Sequence, residues 1–271
     1  MHTFILLFAL QVVTSPEMNC LGFISEFPVS EEVMIVGAEE EGITALASEN
    51  DLISLNGPGI IDLKTGESYK VVRPEGKVRD RISKDEIGTY YKELGIIKIE
   101  ASGTGFATAR VASSCGYMIK GDLVVPLKER PGVKFGGKMS NKLTPFPPDG
   151  LSSTIILGKD DLQEMAAGNI CFIRAGTRQG VKAGDRFTIY RVQPPLNQRD
   201  LSVDGEGSGN TYEKLVAGRS DTELLWMLTD RNLPPRVLGD LVIIDAGETT
   251  SVAKIVNSLS EIQLGDIVVR R

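Results

Sequence analysis

At 271 residues the chain is long enough for two domains of the usual size, roughly 100–200 residues each. Its 41% apolar and 24% charged residues exclude a disordered chain, because ample apolar surface is available to offset chain entropy. A net charge of −6, a pI near 5.1 and scattered basic residues exclude a nucleic-acid binder, which needs a basic face.

The first predicted element is the apolar run from Phe4 to Val13, followed by Thr14-Ser15-Pro16. It has the length of a secretory h-region and falls short of the roughly 20 residues of a membrane span. The expectation is a signal peptide over 1–16 and an exported mature chain without a transmembrane segment, resident in the periplasm or cell envelope. No Lys or Arg precedes the run and no A-x-A site follows it. A hydrophobic first strand or a misassigned start is therefore the alternative. Of the three cysteines, an exported chain can oxidise two. Cys171 sits in Asn169–Ile173, a segment with the character of a buried strand in which Cys is a small hydrophobe. A disulfide, if one forms, is expected between Cys20 and Cys115, clipping the N-terminal segment to the module that follows.

From residue 33 onward the apolar period is near two. Val33–Gly37, Asp51–Leu55, Tyr69–Arg73, Gly95–Glu100, Val111-Ala112 and Leu123–Val125 are predicted strands. Asn56-Gly57-Pro58-Gly59, Ser102–Gly105 and Asp245-Ala246-Gly247 supply turn chemistry between strands. Short strands at regular spacing predict a small barrel or sandwich.

The strongest pattern is a repeat. Residues 94–126 align without a gap with residues 238–270: Leu94, Gly95, Ile99, Gly103, Ala109, Ser114, Gly121 and Asp122, among others, recur 144 positions later. Gly66–Arg73 is echoed by Gly184–Arg191, an offset of 118, so the second copy carries about 26 extra residues before Leu238. The fold class expected is all-β, two tandem small β-barrel-like modules related by internal repeat. Module one runs over 32–127, a Pro/Gly-rich linker over 128–153, and module two over 154–271, with an insertion at 192–237. Gly66, Gly121, Gly184 and Gly265 are assigned positive φ at turns. The acids Asp122, Asp185 and Asp266 that follow three of them are assigned bonds to nearby backbone N–H groups.

Within the insertion, Ser220–Leu228 is predicted to be a short helix, with Ser220 and Glu223 at capping-box spacing. Inserted loops on a rigid β scaffold often carry binding, so Trp226, Leu225 and Tyr212 form the candidate interaction surface. The competing reading is that Trp226 and Leu225 cover an open barrel end.

Catalytic motifs are sparse. The only histidine is His2, inside the predicted signal, which removes Ser-His-Asp, Cys-His and histidine–zinc sites from the mature chain. Ser251–Lys254 has S-x-x-K spacing, but in a strand residues three apart point to opposite faces. Gly132–Ser140 resembles a phosphate loop, yet Met139 replaces the metal-binding hydroxyl. Asp200–Gly205 fails the calcium-loop spacing. Glu40 and Asp160, in the acidic runs Glu39–Glu41 and Asp160-Asp161, leave a carboxylate-based glycoside hydrolase as a minor alternative. No cofactor or metal site is expected.

The segment Arg174–Arg191, with Leu238-Gly239, Thr250–Val256 and Leu264-Gly265-Asp266, resembles the C-terminal domain of flagellar assembly protein T. It is similar also to the β-domains that follow lysin-motif repeats in bacterial envelope proteins. The resemblance implies a small β-barrel, export to the envelope and a non-catalytic role beside peptidoglycan or a membrane machine. The chain contains no lysin motif, so glycan binding does not carry over with it. The function expected is an exported scaffold or protein-interaction module whose partner is an envelope protein. The alternative is a peptidoglycan or polysaccharide binder using exposed aromatics such as Tyr90, Tyr91 and Trp226.

Overall fold

The computed structural model of the chain describes residues 11–12, 18–38, 46–81, 83–130, 132–135, 138–147, 150–192 and 235–271. The predicted signal segment through Leu10, Glu39–Glu41, Asp200–Gly205, the predicted helix Ser220–Leu228 and the candidate residues Tyr212, Leu225 and Trp226 lie outside the described residues. Two compact units emerge. The N-terminal unit comprises 13–78 and 87–132; the C-terminal unit comprises 1–12, 79–86 and 133–271.

The described structure is all-β. Its strands are β1 (Gln11–Val12), β2 (Phe23–Ser25), β3 (Met34–Ala38), β4 (Leu52–Asn56), β5 (Ser68–Arg79) and β6 (Glu86–Ser102). There follow β7 (Ala107–Ser114), β8 (Leu123–Pro126), β9 (Lys134–Phe135), β10 (Ser152–Gly158), β11 (Glu164–Met165) and β12 (Ile170–Ile173). The last are β13 (Arg186–Arg191), β14 (Arg236–Ala246), β15 (Ser251–Ser258), β16 (Ile262–Gln263) and β17 (Ile267–Arg270). The helical pieces among the described residues include short 3₁₀ turns, such as Pro58–Asp62 and Thr177–Gln179.

The C-terminal unit is a closed six-stranded barrel with neighbour order β10-β12-β15-β14-β13-β17. Its interior is filled by Ile155, Cys171, Phe187, Leu241, Ile243 and Val268, among others, all under 1% exposed. Alternation places Phe187 and Ile189 inside and Tyr190 outside, yet Tyr190 is only 1% exposed. The reason is a second layer. Tyr190, Val237, Ile267 and Val269 form an outer cluster against which Phe146 packs, its ring edge-on to Tyr190 at 5.0 Å. The strap 138–147, part of the stretch expected to be a linker, thus covers the outer face. With both faces covered, β14 is a nearly continuous apolar run, buried at eight successive positions.

In the N-terminal unit the strand order is β2-β6-β5-β8-β3-β4-β7, and β7 pairs back onto β6. Ile35, Ile53, Leu55, Val71, Ile97, Val111 and their neighbours fill the inside. Here too an outer cluster exists: Val72, Tyr91 and Leu123, covered by Phe23 and Val29 of the segment 18–29. The close crossing of β6 and β7 requires a missing side chain, because a Cβ on Gly95 would lie 2.1 Å from the Ser113 carbonyl oxygen. The β14–β15 crossing makes the same demand, with Gly239 facing the Asn257 carbonyl at 2.1 Å.

Candidate functional site

Two rim clamps, one in each unit, hold the turn before the last strand of the ring. In the C-terminal unit Arg191, at the end of β13, donates through Nε to Asp266 Oδ1 at 2.7 Å and through Nη2 to Oδ2 at 2.8 Å. The Asp266 carboxylate also accepts the Gln263 N–H at 2.7 Å. Arg191 then reaches Glu261 twice, through Nη2 to its carbonyl at 3.1 Å and through Nη1 to its carboxylate at 3.1 Å. In the N-terminal unit Arg73 donates to Asp122 at 2.7 and 2.8 Å. Asp122 accepts the Ile119 N–H at 2.7 Å, and Arg73 Nη2 reaches the Tyr117 carbonyl at 3.1 Å. The bidentate fork makes these the strong kind of ion pair. The acids were expected to bond their own turns, and they do. The arginines 49 and 75 residues away were not foreseen, although both close the echoed phrase ending in Arg73 and Arg191.

The clamps set local charge. Hydrogen bonds to Asp266 raise Arg191 above its ordinary value, and those to Asp122 raise Arg73. Burial pushes the Asp266 carboxyl up, while the hydrogen bond and charge of Arg191 oppose that rise. Glu261 is different. The Ser260 hydroxyl first, then its own backbone N–H and Arg191, bring its carboxyl down to about 2. A carboxyl depressed in the folded state contributes stability above its unfolded value near 4.5, and that contribution is lost as pH falls toward 2. Glu261→Gln is therefore expected to lower the melting temperature at pH 7, with the gap to the wild type closing between pH 4.5 and 2. A gap independent of pH counts against this role for Glu261.

Position 117 is where the two clamps part company. Tyr117 takes the place of Glu261, and among the described residues no acceptor meets Arg73 Nη1. The neighbourhood changes with it. The antiparallel bridge between Ala47 and Met118 points both side chains inward, 2% and 0% exposed. Alternation then turns Leu46, Tyr117 and Ile119 outward, and they are 50%, 63% and 38% exposed. In the C-terminal unit the matching bridge, β11 with β16, pairs Met165 with Ile262 and Glu164 with Gln263. There the outward pair is polar and hydrogen-bonded, Gln263 Nε2 donating to Glu164 Oε1 at 3.3 Å.

Buried acids anchor the outer straps. Glu93 on β6, its side chain 1% exposed, accepts the Leu21 and Gly22 N–H groups at 3.1 and 3.2 Å. It pairs with Lys70 and with Arg130, each at 2.8 Å, and Arg130 also donates to the Met18 carbonyl at 2.9 Å. Asp240 on β14 plays the corresponding part for Ser140. It accepts the Ser140 N–H and hydroxyl, both at 2.6 Å, the Thr188 hydroxyl at 3.1 Å and the Asn257 amide at 3.2 Å. Neither acid has an acidic counterpart 144 positions away, where Glu93 meets Val237 and Asp240 meets Ile96, so no sequence signal marks them.

Cys20 and Cys115 form a disulfide across 95 residues. Cys171 is a buried free thiol, pushed up to about 12 by desolvation. Gly66, Gly121, Gly184 and Gly265 have φ of 88°, 95°, 93° and 91°, and Asp185 accepts the Lys182 N–H at 3.1 Å. Ser251 and Lys254 lie on β15, where Ser251 Oγ donates to the Ala175 carbonyl. Asp160 lies in an exposed 3₁₀ turn, its side chain 53% exposed. No metal-binding group of three or more ligands occurs among the described residues. One expectation is corrected: Tyr90 and Tyr91 are not exposed but 7% and 4% exposed. The segment 18–29 covers them, with Phe23 stacked on Tyr91 at 5.3 Å and Val29 N–H donating to its hydroxyl. No helix among the described residues is long and apolar enough to cross a membrane. Neither a family model nor a curated protein matches this chain.

Proposed function

We propose that the chain is a non-catalytic, exported protein of the bacterial envelope, a duplicated β-module that positions a protein partner within a cell-wall or membrane assembly. Tandem duplication is supported by strand order. Starting from β3, the N-terminal ring runs β3-β4-β7-β6-β5-β8, and the C-terminal ring from β10 runs β10-β12-β15-β14-β13-β17. The 144-residue offset maps each clamp acid and each close-crossing glycine onto its counterpart, and the 118-residue offset maps Arg73 onto Arg191. Export is supported by the Cys20–Cys115 disulfide, which persists in oxidising compartments. An assembly role follows from the resemblance to the flagellar assembly protein T domain.

The observation that carries the reading is the use to which the buried acids are put. Glu93, Asp122, Asp240 and Asp266 are each saturated by backbone amides, cations or hydroxyls, which makes them anchors for straps and turns. The test is fractionation of a bacterial host expressing the whole chain, followed by thiol trapping. The expected result is a periplasmic protein with Cys20 and Cys115 oxidised, cross-linking to specific envelope proteins and not sedimenting with purified sacculi. A cytoplasmic, fully reduced chain overturns export, and retention on sacculi in place of protein cross-links overturns the partner class.

A further inference from the structure

We propose that the rim formed by Leu46, Tyr117 and Ile119 beside Arg73 is a docking surface for a protein partner that brings an acidic side chain next to an apolar one. The inference rests on the partner-binding reading above and names its surface and its chemistry. Its warrant is a comparison internal to the chain. At the C-terminal rim the fold supplies its own second carboxylate: Arg191 Nη1 meets Glu261 at 3.1 Å. At the N-terminal rim the identical fork of Arg73 on Asp122 leaves Nη1 without an acceptor among the described residues, with the Arg73 side chain 30% exposed. Besides Asp122, Glu75 also acts on Arg73 through its charge, and no hydrogen bond joins the two.

The apolar half of the surface shows the same substitution of outside for inside. Glu164, Glu261 and Gln263 give the C-terminal rim a polar, self-satisfied edge. The aligned Leu46, Tyr117 and Ile119 give the N-terminal rim three adjacent exposed apolar groups, and Lys120 beside them is also exposed. Isolated exposed apolar residues need no explanation, but a contiguous set rimmed by polar groups marks an interaction site. An acidic side chain from the partner would complete the arginine's hydrogen bonds as Glu261 does, and a neighbouring aliphatic or aromatic side chain would cover Leu46 and Ile119. Arginine beside an aromatic is the composition of interface hot spots.

The test uses the whole chain with labelled Leu and Ile methyl groups and two probes, N-acetyl-Leu-Glu-amide and N-acetyl-Leu-Gln-amide. The acidic dipeptide is expected to shift the Leu46 and Ile119 methyl signals and to bind roughly tenfold more tightly than its amide counterpart, the ratio one charge-assisted hydrogen bond supplies. Tyr117→Glu rebuilds the C-terminal arrangement at an exposed position and is expected to weaken the acidic dipeptide about tenfold while leaving the melting temperature within a degree or two. Equal binding of the two dipeptides, or no shift at either methyl, overturns the proposal. So does acidic-dipeptide binding that appears only after Glu39, Glu40 and Glu41 are changed to Gln, because the carboxylate then comes from this chain. Sedimentation velocity covers the remaining occupant: self-association abolished by Tyr117→Glu makes it a second copy and overturns a separate partner. Envelope cross-links unchanged in Tyr117→Glu sink this surface and leave the partner-binding reading standing.

Discussion

Replacing Glu93 by Gln is expected to destabilise the N-terminal unit by about 3–5 kcal/mol, the range for removing one partner from a buried ion pair. The cost comes from what remains. Lys70 and Arg130, their side chains 5% and 7% exposed, would lose the buried carboxylate that they share. The Leu21 and Gly22 amides would retain only a neutral acceptor. Hydrogen exchange locates the effect. Protection should fall in peptides from 18–38 and 86–126 and persist in those from 151–192 and 235–271. A loss spread evenly over both units, or a change below about 1 kcal/mol, contradicts the assignment of Glu93 as the anchor of the 18–29 segment.

The second large effect is expected from Cys20→Ser with Cys115→Ser. Cross-linking positions 95 residues apart removes loop-closure entropy from the unfolded chain, and opening such a bond costs about 2–5 kcal/mol. Denaturation of the oxidised protein, the reduced protein and the double variant measures it; the last two should agree and both should fall below the first. The bond and Glu93 hold the same stretch of chain, since Cys115 Sγ also contacts the Asn19 carbonyl. Combining Glu93→Gln with the double variant should therefore cost less than the sum, because a segment already released has less left to lose. Additivity here would mean that the two restraints act on separate parts of the unit.

Particular residues show where the sequence was legible. The Gly-Asp turns could be seen because their geometry is local: Gly121 and Gly265 need positive φ, and Asp122 and Asp266 reach back three residues to a backbone N–H. Strand character was likewise visible in the period-two stretches around Ile53 and Val71. Tyr90 and Tyr91 could not be placed from periodicity. Consecutive strand residues point to opposite faces, and whether both are covered depends on a segment some seventy residues earlier in the chain. The same holds for Ser140, which sits in a Pro/Gly-rich stretch with the composition of a connector yet is 4% exposed on Asp240. Composition reports flexibility of the free segment and is silent about a carboxylate 100 residues away that fixes it.

Cys171 at the centre of β12 gives the molecule a built-in reporter. With Cys20 and Cys115 oxidised, it is the single thiol in the chain, fully enclosed by the barrel wall and disinclined to ionise. Alkylating reagents attack the thiolate and so pass it by while the C-terminal unit stays intact. The labelling rate of the native protein then measures how often that unit breathes open, with no engineered probe.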